Sequence, residues 1–147
     1  MDERKKQHFL EQFKASPNET TLGFCVLGGV FGEGIDLPSD RLIGAVIVGT
    51  GLPRVCMERE FLKDYFDGKG SNGFDYAYRF PGMNKVLQAG GRVIRSENDV
   101  GVIALLDERF SYSSYRQLFP VEWTPVKRVN VENLSQAMDD FWTTKEE

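Results

Sequence analysis

Gln88, Arg92 and Arg95 are the residues whose types and spacing point most directly to chemistry. If the chain is helical over 84–95, separations of four and three bring them to one face, and an amide and two guanidiniums project together. Guanidinium forks match phosphate oxygens, so such a stripe suits a polyanion. The same arginines could instead pair on the surface with Glu97 and Asp99. Gly90 and Gly91 fall inside the stripe. Each costs roughly 1 kcal/mol against alanine in a helix interior, which implies that backbone must be approached closely there.

A second constellation lies at residues 28–38, GGVFGEGIDLP. It follows a short apolar run, and its glycines, Gly34 among them, allow a ligand close to the backbone. Glu33 and Asp36 are presented at the strand's end, the edge at which open α/β sheets bind ligands. A tight structural loop with solvated acids is the alternative. Residues 68–73, GKGSNG, fit the letters of the dinucleotide fingerprint GxGxxG. That fingerprint works only with a strand before the loop and a helix directly after it. Here a helix precedes it and Phe74-Asp75 offers no suitable helix start, so a passive surface connection is expected.

Several chemistries lack their parts. There is no GxxxxGK loop followed by Ser or Thr, and no acidic strand end to hold Mg²⁺ against a triphosphate. The lone histidine, His8, sits in a polar helix without a nucleophile and acid at its side. Cys25 and Cys56 lie far apart among apolar neighbours and read as reduced and buried. Two cysteines cannot make a four-cysteine iron–sulfur cluster, and no zinc-ligand spacing is present. Hydrolysis contained within this chain is not expected.

The elements that must position these residues alternate. Helical spacing appears at 3–15, ended by Ser16-Pro17-Asn18. Apolar runs at 22–27, 42–48 and 100–106 suit strands buried on both faces. Helices are expected at 58–66 and 84–95, a helical turn at 75–79, and further helices at 114–119 and 131–142. The alternation implies an α/β domain on a parallel sheet. The pattern opens on one helix before the first strand, as though an upstream part were absent.

With 147 residues, one domain with a hydrophobic core is expected. The net charge of −4 argues against a stand-alone nucleic-acid binder, but not against a few phosphate contacts in a larger groove. Arg54 and Lys85 are the candidates for such contacts, with ordinary surface charge as the alternative. No apolar run approaches the roughly 18 residues of a membrane span, and the start is no apolar signal core, which makes the cytoplasm the default.

Taken together, GVFGEGID at 29–36 resembles motif V and QAGGRVIR at 88–95 resembles motif VI of superfamily-2 helicases, most closely the DinG/XPD family. Gly51-Leu52-Pro53 after the middle strand, and Asp107-Glu108-Arg109 after the last, extend the likeness over about residues 9–120. The resemblance implies a RecA-like P-loop NTPase fold, the second helicase domain, lacking its own Walker A loop, with a parallel sheet flanked by helices. Residues 1–124 would form that domain and 125–147 its helical tail. ATP would lie in a cleft against an N-terminal helicase half of the same polypeptide. That half would supply the phosphate loop and the Mg²⁺ ligands, and any iron–sulfur cluster would lie outside this chain. Arg92 and Arg95 would reach the phosphates, one of them as arginine finger, with Gln88 beside them. Asp36 would sit near the ribose and Glu33 would link the nucleotide edge to the DNA edge. Single-stranded DNA is the implied partner, with no role for a membrane. The chain alone would be inactive. The alternatives are a non-catalytic helicase-like interaction module and an RNA helicase domain.

Overall fold

The computed structural model describes residues 3–14, 19–29, 31, 37, 41–94 and 99–146. Its centre is a parallel pair of strands, β1 (Gly44–Val48) and β2 (Val102–Leu106), in register from Gly44 opposite Val102 to Val48 opposite Leu106. Parallel neighbours cannot be joined by a hairpin. The chain therefore leaves the sheet through helix α2 (Met57–Gly68), a π-helical turn at Asp75–Arg79, and helix α3 (Phe80–Gly90) before it returns. The α/β class and the parallel pairing agree with the sequence pattern.

Strand side chains alternate between faces, which decides what is covered. Ile47 points inward and is buried with Met83 and Val86 of α3. Phe110 and Tyr115, from the short helical turns Glu108–Ser111 and α4 (Ser113–Arg116), complete that core, with Leu118, Phe119 and Trp123 packed around it. On the opposite face Val46 and Val48 are 63% and 74% exposed. Burial on both faces was the expectation; among the described residues β1 is covered on one face only, while β2 is half-buried on both until Leu106, which is exposed.

Residues 22–27 depart further from expectation. They form no strand, and Leu22, Phe24 and Val26 are all exposed. An apolar run becomes a strand only where a neighbour completes its hydrogen-bond ladder, and this run pairs with neither β1 nor β2. Its Gly23 lies instead against the rings of Phe9 and Phe13. Cys25 and Cys56, expected to be buried, are both exposed: the first shares the open run, and the second is the residue before α2.

Helix α1 (Glu3–Leu10) stops before the expected boundary. Arg41 meets its end, donating from Nε to the Phe13 carbonyl at 2.7 Å and from a terminal nitrogen to the Leu10 carbonyl at 3.3 Å. Carbonyls at and beyond a helix end lack the usual helical partner four residues on; the Leu10 carbonyl takes the Phe13 amide at 3.1 Å as well, and the guanidinium adds to both. Helix α5 (Leu134–Glu146) begins later than expected and runs to the charged end. Among the described residues no helix is long and apolar enough to cross a membrane.

Helix α2 has no buried residue, so specific polar bonds fasten it. Arg59 donates to the Ala77 carbonyl at 2.6 Å, and the Tyr78 hydroxyl donates to Glu60. That bond to a carboxylate holds the Tyr78 hydroxyl up at about 12. Phe66 stacks on Tyr76 with ring centroids 3.9 Å apart.

Candidate functional site

Helix α3 carries the first constellation, and its end is the decisive local feature. The helix finishes at Gly90, with Gly91 as its cap. The Gly91 amide still bonds the Leu87 carbonyl at 2.8 Å, but Arg92 and Val93 donate to the carbonyls three residues back, at 3.2 and 3.0 Å. The backbone has tightened into turns. The expected helix over 84–95 is therefore corrected to Phe80–Gly90, and Gln88 and Arg92 do not share a continuous helical face. Two adjacent glycines terminate a helix more readily than they extend it, because each has the most backbone freedom to lose. Gln88 is exposed on the last turn and Arg92 is half-buried just beyond it.

The close approach that Gly90 permits is made by the protein itself. A Cβ there would lie 2.5 Å from the Trp123 ring and 3.2 Å from Ile103 Cδ1. Beyond it, Val93 is buried next to Gly101, where a Cβ would meet Val93 Cγ1 at 2.4 Å and the Ile43 carbonyl at 2.8 Å. Gly101 and Ile43 immediately precede β2 and β1. The turn carrying Arg92 thus stands at the strands' N-terminal ends.

The opposite edge holds the other features. After β1 the chain turns through residues 49–53, with left-handed backbone at Gly49 and Gly51. Helix α3 presses on this turn at Gly82, where a Cβ would sit 2.6 Å from the Thr50 carbonyl. Thr50 is 1% exposed, and its hydroxyl has no hydrogen-bond partner among the described residues. Arg54 follows, exposed. Lys85 lies inside, with its stem against Gly28 and its Nζ 3.4 Å from the Gly51 carbonyl. After β2, Asp107 grips Arg109 through both oxygens, at 2.8 and 2.7 Å, and accepts the Arg109 amide at 2.9 Å. The Arg109 side chain holds the Asp107 carboxyl down at about 2, against the opposing effect of burial.

Glu33, Gly34, Asp36 and Arg95 lie outside the described residues. Of the remaining candidates, Gln88 lies on the last turn of α3 and Arg92 just beyond it, Lys85 lies in the middle of that helix, and Arg54 follows the loop after β1. Sequence reading did not anticipate the Gly90–Trp123 contact or the buried Thr50. The Asp107–Arg109 spacing was visible only as a family signature. Among the described residues, no group of three or more His, Cys, Asp or Glu side chains could hold a metal ion.

The loop at 68–73 is held by its own acid. Asp67 accepts the Gly73 amide at 2.7 Å and the Lys63 ammonium at 2.8 Å. A helix does begin at Gly73, contrary to the expectation of no suitable start, yet helix α2 precedes the loop. The carboxylate occupies the place an anion would take at that helix start, and the dinucleotide geometry is absent.

The fold and site define a parallel strand–helix–strand unit whose connecting helix runs out within a Gln-x-Gly-Gly-Arg sequence. The model of the helicase C-terminal domain family matches residues 1–126. The chain belongs to this family, as a C-terminal domain of the DinG/XPD helicases. It is 35% identical over 103 residues to the ATP-dependent DNA helicase DinG of Photobacterium profundum, covering 69% of this chain and 15% of that protein. The probable ATP-dependent helicase MJ0942 of Methanocaldococcus jannaschii is 29% identical over 120 residues, 76% of this chain and 18% of the relative. Human regulator of telomere elongation helicase 1 is 31% identical over 137 residues, 86% of this chain and 11% of the relative. The chain spans less than a fifth of the length of these curated relatives.

Proposed function

We propose that this chain is the C-terminal motor half of an ATP-dependent DNA helicase, supplying the arginine side of an interdomain ATP site and part of a single-stranded DNA track. In this reading residues 1–124 are a RecA-like domain and 125–147 its helical tail. The N-terminal half of the complete polypeptide brings the phosphate loop and the Mg²⁺ ligands. Arg92 and Arg95 meet the phosphates, Gln88 lies beside them, and Glu33, Gly34 and Asp36 form the nucleotide edge. Arg54 is the exposed cation assigned to the DNA backbone.

The observation that carries the reading is the placement of Gln88 and Arg92 at the end of α3 in a chain of this family. A helix C-terminus presents the negative end of its dipole, which repels a polyphosphate. All attraction for the anion must then come from the side chains. Arginine is suited to the task because its planar fork engages two oxygens and stays charged. An arginine presented across a cleft is worth about 10³ to 10⁵ in phosphoryl-transfer rate.

The test is Arg92→Ala in the complete protein. DNA-stimulated ATP turnover should fall at least about 10²-fold, with nucleotide affinity and melting temperature much less changed. Lysine should rescue poorly. Near-normal turnover in the alanine variant would make Arg92 a surface charge and remove the basis of the proposal. DNA-stimulated hydrolysis by this chain alone would contradict the half-motor reading.

A further inference from the structure

We infer that Lys85 is a positioning residue whose aliphatic stem, rather than its charge, clasps the turn at residues 27–29 and the loop at residues 49–53 onto helix α3. The turn has left-handed backbone at Gly28, φ +74°, and is closed by the Gly29 amide on the Val26 carbonyl at 2.9 Å. Lys85 lies directly over that glycine. A Cβ on Gly28 would stand 2.8 Å from Lys85 Cδ, 3.1 Å from Cε and 3.4 Å from Cγ. Three consecutive methylenes therefore cover the space that a side chain at 28 would need.

The loop is locked into the same knot. Gly51, also left-handed, would place a Cβ 2.7 Å from the Gly82 carbonyl and 3.1 Å from a Leu27 methyl. Leu27 packs against the core that α3 completes. Lys85 Nζ reaches the Gly51 carbonyl at only 3.4 Å, beyond the usual range of a strong N–H···O bond. The charged head thus adds little to what the stem does, which is the ordinary division of labour in a half-buried lysine.

The position gives the clasp its consequence. Gly28 and Gly29 run in sequence directly into 30–36, which carries Glu33, Gly34 and Asp36. Lys85 sits one turn before Gln88 on the helix that delivers Arg92. Fixing the turn to α3 fixes the point from which the chain runs on into residues 30–36. Its effect on turnover rests on the function proposed above; its effect on the turn does not.

The experiment uses the complete protein with Lys85→Ala and Lys85→Met. Amide hydrogen exchange at Gly29 reads the turn, and the salt dependence of binding to a single-stranded oligothymidine reads phosphate contacts. The clasp requires Gly29 exchange at least about tenfold faster in the alanine variant and near-parental exchange in the methionine variant, which keeps the stem. Turnover should fall several-fold in alanine only, and the salt slope should stay parental in both. Parental Gly29 exchange in both variants overturns the inference. So does a methionine variant as impaired as the alanine one, with a slope shallower by about 0.7, the signature of one lost single-strand phosphate contact. If the alanine variant does not fold, the methionine variant still decides: parental exchange and slope support the clasp, and loss of either overturns it. A complete protein without ATP turnover would fail the functional proposal and leave the exchange result standing.

Discussion

The ring of Trp123 lies so close to Gly90 that no side chain fits between them. A Cβ on Gly90 would be 2.5 Å from Cζ2 and 3.1 Å from Cη2 of the indole. The glycine pair at the end of α3 is therefore asymmetric: at Gly91 an added Cβ would meet only the Leu87 carbonyl at 3.2 Å and the Gln88 carbonyl at 3.9 Å.

Gly90→Ala should destabilise the protein despite alanine's better helix propensity. The propensity gain is about 1 kcal/mol at most, whereas forcing atoms into a packed contact costs about 1–3 kcal/mol. Gly91→Ala should be within about 1 kcal/mol of the parent. Urea denaturation of both variants, with Trp123→Leu added to each, checks the mechanism. The double variant at Gly90 should recover stability relative to the sum of the single changes, and simple additivity would show that the contact is not the cause.

Acid should expose the Asp107–Arg109 pair. The folded carboxyl sits at about 2, below its ordinary value of 3.8, so the unfolded chain takes up a proton first as pH falls. The pair's contribution is fully present above about pH 4 and lost as pH falls towards about 2. Asp107→Asn should remove that component. The difference in unfolding free energy between parent and variant, measured by denaturant at several pH values, should shrink across this window and stay flat above it. A difference independent of pH would show that the ion pair contributes nothing.

The glycines of residues 68–73 should differ by backbone geometry rather than by any shared ligand. Gly68 faces open space, and alanine there should be neutral or slightly stabilising. Gly70 has φ +76°, and alanine should cost about 1–2 kcal/mol. Gly73→Ala should be the most damaging, because its Cβ would stand 2.0 Å from the Lys63 carbonyl. In the complete protein, alanine at 68 or 70 should leave ATP affinity within about threefold, or roughly 0.7 kcal/mol. A tenfold loss would identify a phosphate loop there.

What could be read from sequence follows from what each signal measures. The runs at 42–48 and 100–106 formed a parallel pair because each is apolar and both find a partner. The run at 22–27 has the same composition and no partner in the described sheet, and composition cannot tell the two cases apart. Gly90 and Gly91 were visible as a cost to a helix, but not whether the helix would bear that cost or end there. Trp123 is distant in sequence from Gly90, and no local pattern links them. Gln88 and Arg92 stand out by residue type and by their spacing in the motif, which makes them candidates. Their geometry was not, since it depends on where α3 ends.

The uncovered face of the β1–β2 pair governs how this stretch of chain behaves when handled by itself. Val46, Val48 and Leu106 place greasy surface in water, and each strand has an outer edge with no strand beside it among the described residues. Backbone donors and acceptors on such an edge can template the addition of another strand. A solution of these residues alone should therefore grow turbid with rising concentration and warming. Any partner that seats on this face would act first as a solubiliser.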